Sequence, residues 1–307
     1  MTPFRPLAPV LLALGLLFAP SALAAPQVVA SVKPLHSLAA SLMQGVGEPH
    51  LLVRGTATPH AFALKPSDAR ALAQAALVFW MGPELEAFLQ KPLAGNGKAV
   101  ALLAAPGVQG KPARRGGAWE AHDPGHAHDH GHEAGGAVDP HAWLDPRNAR
   151  AMAEAMAAAL VRADPANAAR YQANLATLSA DLDALDRELE GVLAPVRTKP
   201  FVVFHDAYHY LEDRYGLNAV GALTVNPERP PGAARLSELR ARIRDLGAAC
   251  VFAEPQFEPA LVDTLIAGTP ARKGVLDPEG AAIPDGPELY FALMRANARA
   301  LTGCLGG

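Results

Sequence analysis

The chain has 307 residues, half of them hydrophobic, and a formal charge of −3. Its length suits one large core or two modest ones, and so mild an acidity gives no support for binding nucleic acid or other polyanions. The two cysteines, Cys250 and Cys304, have no histidine or second cysteine beside them, which argues against a catalytic thiol or a thiolate zinc site.

Residues 1–24 carry one cation, Arg5, then an apolar run over residues 7–18, Pro20, and the small-x-small triplet Ala22-Leu23-Ala24. This is the pattern of a cleaved secretory signal; the run is too short to span a bilayer. The expected mature chain begins near Ala25 with a formal charge of −4. In an exported chain an isolated cysteine pair is most simply one disulfide, here closing a loop of about 54 residues and worth roughly 4 kcal/mol by the chain-entropy argument. Two buried thiols are the alternative.

Residues 27–32 (QVVASV) read as a strand, 38–43 as a helix, 51–53 as a second strand, and 69–76 as a helix with Ser67-Asp68 as its cap. Residues 77–80 (LVFW) read as a third strand and 84–90 as a helix. From 104 to 138 periodicity stops; glycine, proline and five histidines (His122, His126, His128, His130, His132) predict a disordered surface loop. Asp139-Pro140-His141-Ala142-Trp143 re-enters the fold. Residues 149–162 and 165–193 are then helical, the second with Tyr171, Leu175, Leu178, Leu182, Leu185 and Leu189 at spacings of three and four. Strand–helix alternation resumes, with strands over 201–204, 218–223, 249–253 and 273–276. The predicted fold class is α/β, two lobes of βα units with mostly parallel sheets joined by a long rigid helix. The expected division is 25–145 for the N-terminal lobe, 146–195 for the helical segment and 196–307 for the C-terminal lobe.

His60, His205 and Asp277 each follow a predicted strand, and His141 opens the re-entry. In open α/β sheets ligands bind beyond the carboxyl ends of strands, so these four residues, two from each lobe, are expected to converge on the cleft. Imidazole nitrogens suit Zn²⁺, with a carboxylate or water completing a tetrahedral shell. The separations match no local zinc-finger spacing, and a hydrogen-bonded loop or core position is the competing reading of any single histidine.

The wording around these residues is more specific. TPHAFALKPSDARALAQAALVFWMGPELEAFL, DPHAWLDP, FVVFHDAYHYLEDRYGL, VNPERPPGAARLSELR, CVFAEPQF and GVLDPEG closely resemble the ZnuA family, zinc-binding solute receptors of bacterial ABC importers. The resemblance spans nearly the whole mature chain, including both cysteines and a His-rich loop. It implies two lobes linked by a long helix, with zinc bound between them by His60, His141 and His205. Asp277 matches an acidic residue that binds the metal in some relatives and lies near it in others. Some zinc receptors have glutamate before the first histidine; here it is Pro59, which leaves Asp277 or water as fourth ligand. Manganese receptors of the wider group have glutamate where this chain has His205, so a third imidazole favours zinc.

His209 is an extra histidine, read as a surface or packing residue, and Glu254 faces the same cleft edge as a supporting group. His36 reads as structural, His50 as exposed, and Asp68 as a cap rather than a ligand. The five loop histidines form an auxiliary metal-collecting element, weaker than a preformed pocket because a flexible loop must be ordered to bind. The functional expectation is a monomeric, non-enzymatic periplasmic receptor that captures Zn²⁺ and delivers it to a membrane permease. A three-histidine zinc hydrolase and a metal-dependent surface adhesin are the alternatives.

Overall fold

The structure is a computed structural model that describes residues 25–114, 119, 137–224, 232–257 and 260–307. The expected signal segment and the five loop histidines lie outside the described residues.

Four parallel strands build the first sheet: β1 (Val28–Ala30), β2 (His50–Leu51), β3 (Leu77–Trp80) and β4 (Ala99–Ala101), in the order β2-β1-β3-β4. The central strands β1 and β3 are buried throughout, as near-continuous apolar runs covered on both faces must be. Strand β4 was absent from the sequence reading. Its three small residues are half-buried at a sheet edge and too few to carry a period.

Helices α1 (Lys33–Leu42), α2 (Pro66–Gln74) and the single turn α3 (Gln90–Leu93) complete this lobe. The cap expected at Ser67-Asp68 sits elsewhere. Lys65 is the N-cap of α2, and Asp68, in the first turn, accepts a hydrogen bond from the Lys65 N–H at 3.0 Å. A carboxylate there satisfies a donor at the positive end of the helix. The helix expected over 84–90 is instead a 3₁₀ turn, Ala87–Leu89, leading into α3.

Helix α4 (Pro146–Ala163) opens with Pro146 in its first turn and the Asp145 carboxylate accepting from the Arg147 N–H. Helix α5 (Ala168–Leu193) follows; its 26 residues span about 39 Å. Tyr171, Leu178, Leu182, Leu185, Leu189 and Leu193 form its buried stripe. That stripe packs against α4, α1 of the first lobe and the C-terminal helix Leu289–Leu305 of the second.

The second sheet is again all parallel, in the order β6-β5-β7-β8. Its elements are β5 (Pro200–His205), α6 (His209–Tyr215), β6 (Asn218–Thr224), α7 (Ala233–Asp245), β7 (Cys250–Ala253), α8 (Ala260–Ile266), β8 (Arg272–Val275) and α9 (Leu289–Leu305). Gly274 in β8 stands in register with Phe252 of β7, and a Cβ there would lie 2.4 Å from the Phe252 ring. Glycine is what lets the ring lie over the edge strand. The disulfide Cys250–Cys304 ties β7 to the end of α9, with Cα atoms 6.2 Å apart.

One continuous core runs from β1 and β3 through α4 and α5 into β5 and α9, so the lobes share packing. Polar contacts fasten the same seam. Lys33 Nζ donates to the carbonyls of Ile283 at 2.7 Å and Ala281 at 3.3 Å, and Trp143 Nε1 donates to Pro278 O at 2.8 Å. Tyr290 OH donates back to Trp143 O, and Ser37 Oγ to Pro287 O.

Candidate metal centre

The three histidines reach one point by three different routes. His60 sits in a 3₁₀ turn, Pro59–Ala61, whose N-cap Thr58 accepts the His60 N–H. His205 is the last residue of β5, at the carboxyl edge of its sheet. His141 lies in the segment between residues 139 and 145, just past an antiparallel pairing of 111–113 with 137–139.

Among the described residues, His60, His141 and His205 form the one group of three or more potential ligand side chains whose donor atoms all lie within 4.8 Å of one another. His141 Nε2 is 3.3 Å from His60 Nε2 and 3.2 Å from His205 Nε2. Zn–N bonds of 2.0–2.1 Å in a tetrahedron give nitrogens about 3.3–3.4 Å apart, so these gaps are tetrahedral edges.

The other ring nitrogens define the tautomers. His141 Nδ1 lies 2.8 Å from Asp139 Oδ1, and His205 Nδ1 is 2.8 Å from both Glu254 oxygens. A carboxylate there takes the Nδ1–H and leaves Nε2 a bare lone pair, the arrangement that orients metal-ligating imidazoles. Two lone pairs then face each other at 3.2 Å, an arrangement that a shared cation stabilises. Asp139 is itself anchored: it accepts the His141 N–H at 3.0 Å, and its carbonyl accepts Tyr210 OH at 2.7 Å.

Burial, together with the neighbouring imidazoles, holds His60 and His141 well below the usual histidine range. Burial also opposes a charge on His205, yet the Glu254 carboxylate beside it carries that ring above 6.5. Asp139 is pushed up to about 6 by burial, a rise that the His141 N–H moderates. His141 and His205 are 5% and 3% exposed, whereas His60 is half-buried.

The structure thus gathers three of the four residues that sequence placed at the cleft. Asp277 stands outside the group. Its Oδ1 accepts from Gln256 Nε2 at 3.1 Å and from the N–H groups of Glu279 and Gly280, and its Oδ2 accepts from the Ala281 N–H at 2.6 Å. His209 opens α6 with Nδ1 3.9 Å from Asp139 Oδ2, also outside the group. His36 is buried with Nε2 on the Pro49 carbonyl, and His50 is half-buried in β2. Sequence reasoning missed Asp139, two residues before His141. It also missed Glu86, wholly buried under hydrogen bonds from Ser31, Met81 and Gly82 and pushed up to about 7 by that burial.

Fold and site together define a two-lobed binding protein with a three-imidazole centre at the lobe junction. The profile described as ZnuA, zinc-uptake complex component A, periplasmic, matches residues 28–304. The chain belongs to the ZnuA family. It is 48% identical over 304 residues to the high-affinity zinc uptake system protein ZnuA of Brucella abortus (strain 2308), covering 91% of both chains. It is 38% identical over 306 residues to the protein of the same name from Yersinia pestis, covering 96% of both. A crystal structure of a zinc-bound ZnuA lacking residues 138–173 of its own chain superposes with a TM-score of 0.74 at 25% identity, covering 92% of this chain and 98% of that one.

Proposed function

We propose that the chain is the zinc-capturing receptor of a periplasmic zinc uptake system, holding Zn²⁺ through His60, His141 and His205 and passing it to an ABC permease. The observation that carries this reading is the pair of Nε2–Nε2 gaps at 3.2 and 3.3 Å, with two of the three rings backed by carboxylates. The ion is cargo here. Two buried carboxylates behind neutral imidazoles offset the charge of a divalent cation, and half-buried His60 leaves a side from which it enters and departs.

In this reading solvent takes the fourth position, because both Asp277 oxygens already accept hydrogen bonds. A zinc hydrolase also uses three protein ligands and water, but it needs a free general base. Here Asp139 and Glu254 are occupied with the ligand rings. Zinc-loaded protein is accordingly expected to leave ester and peptide substrates intact. Export through the signal segment and an auxiliary, weaker role for the loop histidines belong to the same proposal.

Calorimetric zinc titration of three forms tests it: the intact protein, a form lacking residues 121–133, and His60→Ala. The loop deletion is expected to keep one tight site and lose only weaker ones, while His60→Ala loses the tight site. If the deletion abolished tight binding and His60→Ala left it whole, the assignment would be inverted.

A further inference from the structure

We propose that Lys33, a residue of the opposite lobe, sets the metal preference of the centre by holding Asp277 out of the coordination shell. This rests on the receptor reading above.

The path runs through one peptide group. Lys33 begins α1, its side chain is 5% exposed, and its Nζ donates to Ala281 O and Ile283 O and pairs with Asp285 at 3.2 Å. The same Ala281 donates its N–H to Asp277 Oδ2 at 2.6 Å. Glu279 and Gly280 donate theirs to Oδ1 at 3.0 and 2.8 Å. The turn over residues 277–281 is thus closed on the Asp277 carboxylate from inside, and its far side is pinned by a cation from the other lobe.

The main chain of Asp277 is fixed separately. Asn297 accepts its N–H at 2.9 Å and donates to its carbonyl at 2.7 Å. What remains free to change is therefore the side chain and the turn beyond it. With the pin in place, a rotation of the carboxylate toward the imidazoles breaks the bonds from residues 279–281, of which Ala281 is itself held by Lys33. Gln256 Nε2 holds the same carboxylate at 3.1 Å from the β7 side.

The chemical consequence follows from ligand hardness. Three imidazoles and a water suit Zn²⁺ in tetrahedral geometry. A carboxylate that binds through both oxygens, or alongside the water, raises the coordination number and the oxygen content, which moves the site toward harder ions such as Mn²⁺. A lysine that never touches the metal would then act as a selectivity residue through Asp277.

The test uses the mature full-length protein and the variants Lys33→Met, Gln256→Leu, Asp277→Asn, Lys33→Met with Asp277→Asn, and His205→Ala. The visible absorption of bound Co²⁺ reports coordination number, and calorimetry reports Zn²⁺ and Mn²⁺ affinities. Intact protein and Asp277→Asn are expected to share one four-coordinate spectrum. Lys33→Met is expected to give the weaker absorption of a higher-coordinate ion and to tighten Mn²⁺ binding on the order of tenfold. The double variant returns to the intact spectrum and affinity. Gln256→Leu releases the carboxylate from its other side and carries the test should Lys33→Met fail to fold. The proposal is overturned if Asp277→Asn alters the intact spectrum, if the Lys33→Met effect survives in the double variant, or if the folded releasing variants leave spectrum and Mn²⁺ affinity unchanged. Loss of tight Co²⁺ and Zn²⁺ binding in His205→Ala separates these outcomes from failure of the site assignment, which retained tight binding would mean.

Discussion

His141 and His205 are buried rings whose Nδ1 groups are fixed by carboxylates, whereas half-buried His60 sits in a one-turn helix outside the buried part of the site. The pH behaviour should follow from this difference. His205 is the ring whose proton affinity is raised, so as pH falls its Nε2 is the first to bind a proton in competition with zinc. Zinc affinity is therefore expected to start falling above pH 6.5 as His205 takes up its proton, while His60 and His141 resist protonation. Calorimetry between pH 7.5 and 5.5 checks it, and an affinity flat across that window would rule out imidazole ligation. Replacing Glu254 by Gln removes the charge that raises His205. The variant should bind zinc about ten- to a hundredfold more weakly at pH 7.5, with its decline displaced to lower pH. At this scale sequence located the histidines because they end strands or re-enter the fold. It did not locate Asp139, because nothing in a local pattern tells a turn aspartate from one aimed at an imidazole. The engagement of Asp277 by the turn that follows it was equally invisible, since that bonding depends on how the chain folds back on itself.

Helix α5 was the most legible element, because its apolar positions from Tyr171 to Leu193 recur at three and four residues over about six turns. Strand β4 and the turn at Ala87–Leu89 were not, because each has three residues, fewer than the window over which its periodicity can be read. Element boundaries moved for local reasons, as at α2, where Pro66 takes the first helical position and makes Lys65 the cap. The stripe on α5 has a measurable consequence. Leu185 is fully buried, so Leu185→Ala is expected to lower unfolding free energy by about 2–5 kcal/mol in denaturant titration. Tight zinc binding should persist, since the ligands stand on other elements. Replacing Cys250 and Cys304 by serine opens a loop with a sequence separation of 54 residues. The expected loss is about 4 kcal/mol by the chain-entropy argument. A destabilised variant with unchanged zinc affinity would place the disulfide outside the binding machinery; a variant that lost binding while folded would not.

Across the whole molecule, the question is how such a receptor opens. A hinge needs a seam with few contacts, and this seam has many. The core is continuous through α4 and α5, and Lys33, Trp143, Ser37 and Tyr290 bond across it. On the side of the metal centre Arg114 pairs with Asp206 and Glu212 of the second lobe, and Lys111 pairs with Asp213. Hinge closure would have to break most of these at once, each buried one at a cost of about 1–3 kcal/mol. Moving the His60 turn alone breaks far less: the turn is capped by Thr58 and contributes one half-buried ring. Release is therefore expected to proceed by local displacement of that turn, with the lobes nearly fixed. Small-angle scattering of apo and zinc-loaded protein should give superimposable profiles, while hydrogen exchange should show protection on zinc binding concentrated around residues 57–62. A contraction of the whole particle on loading, of the kind that accompanies domain closure, would overturn this and make the seam contacts features of one state only.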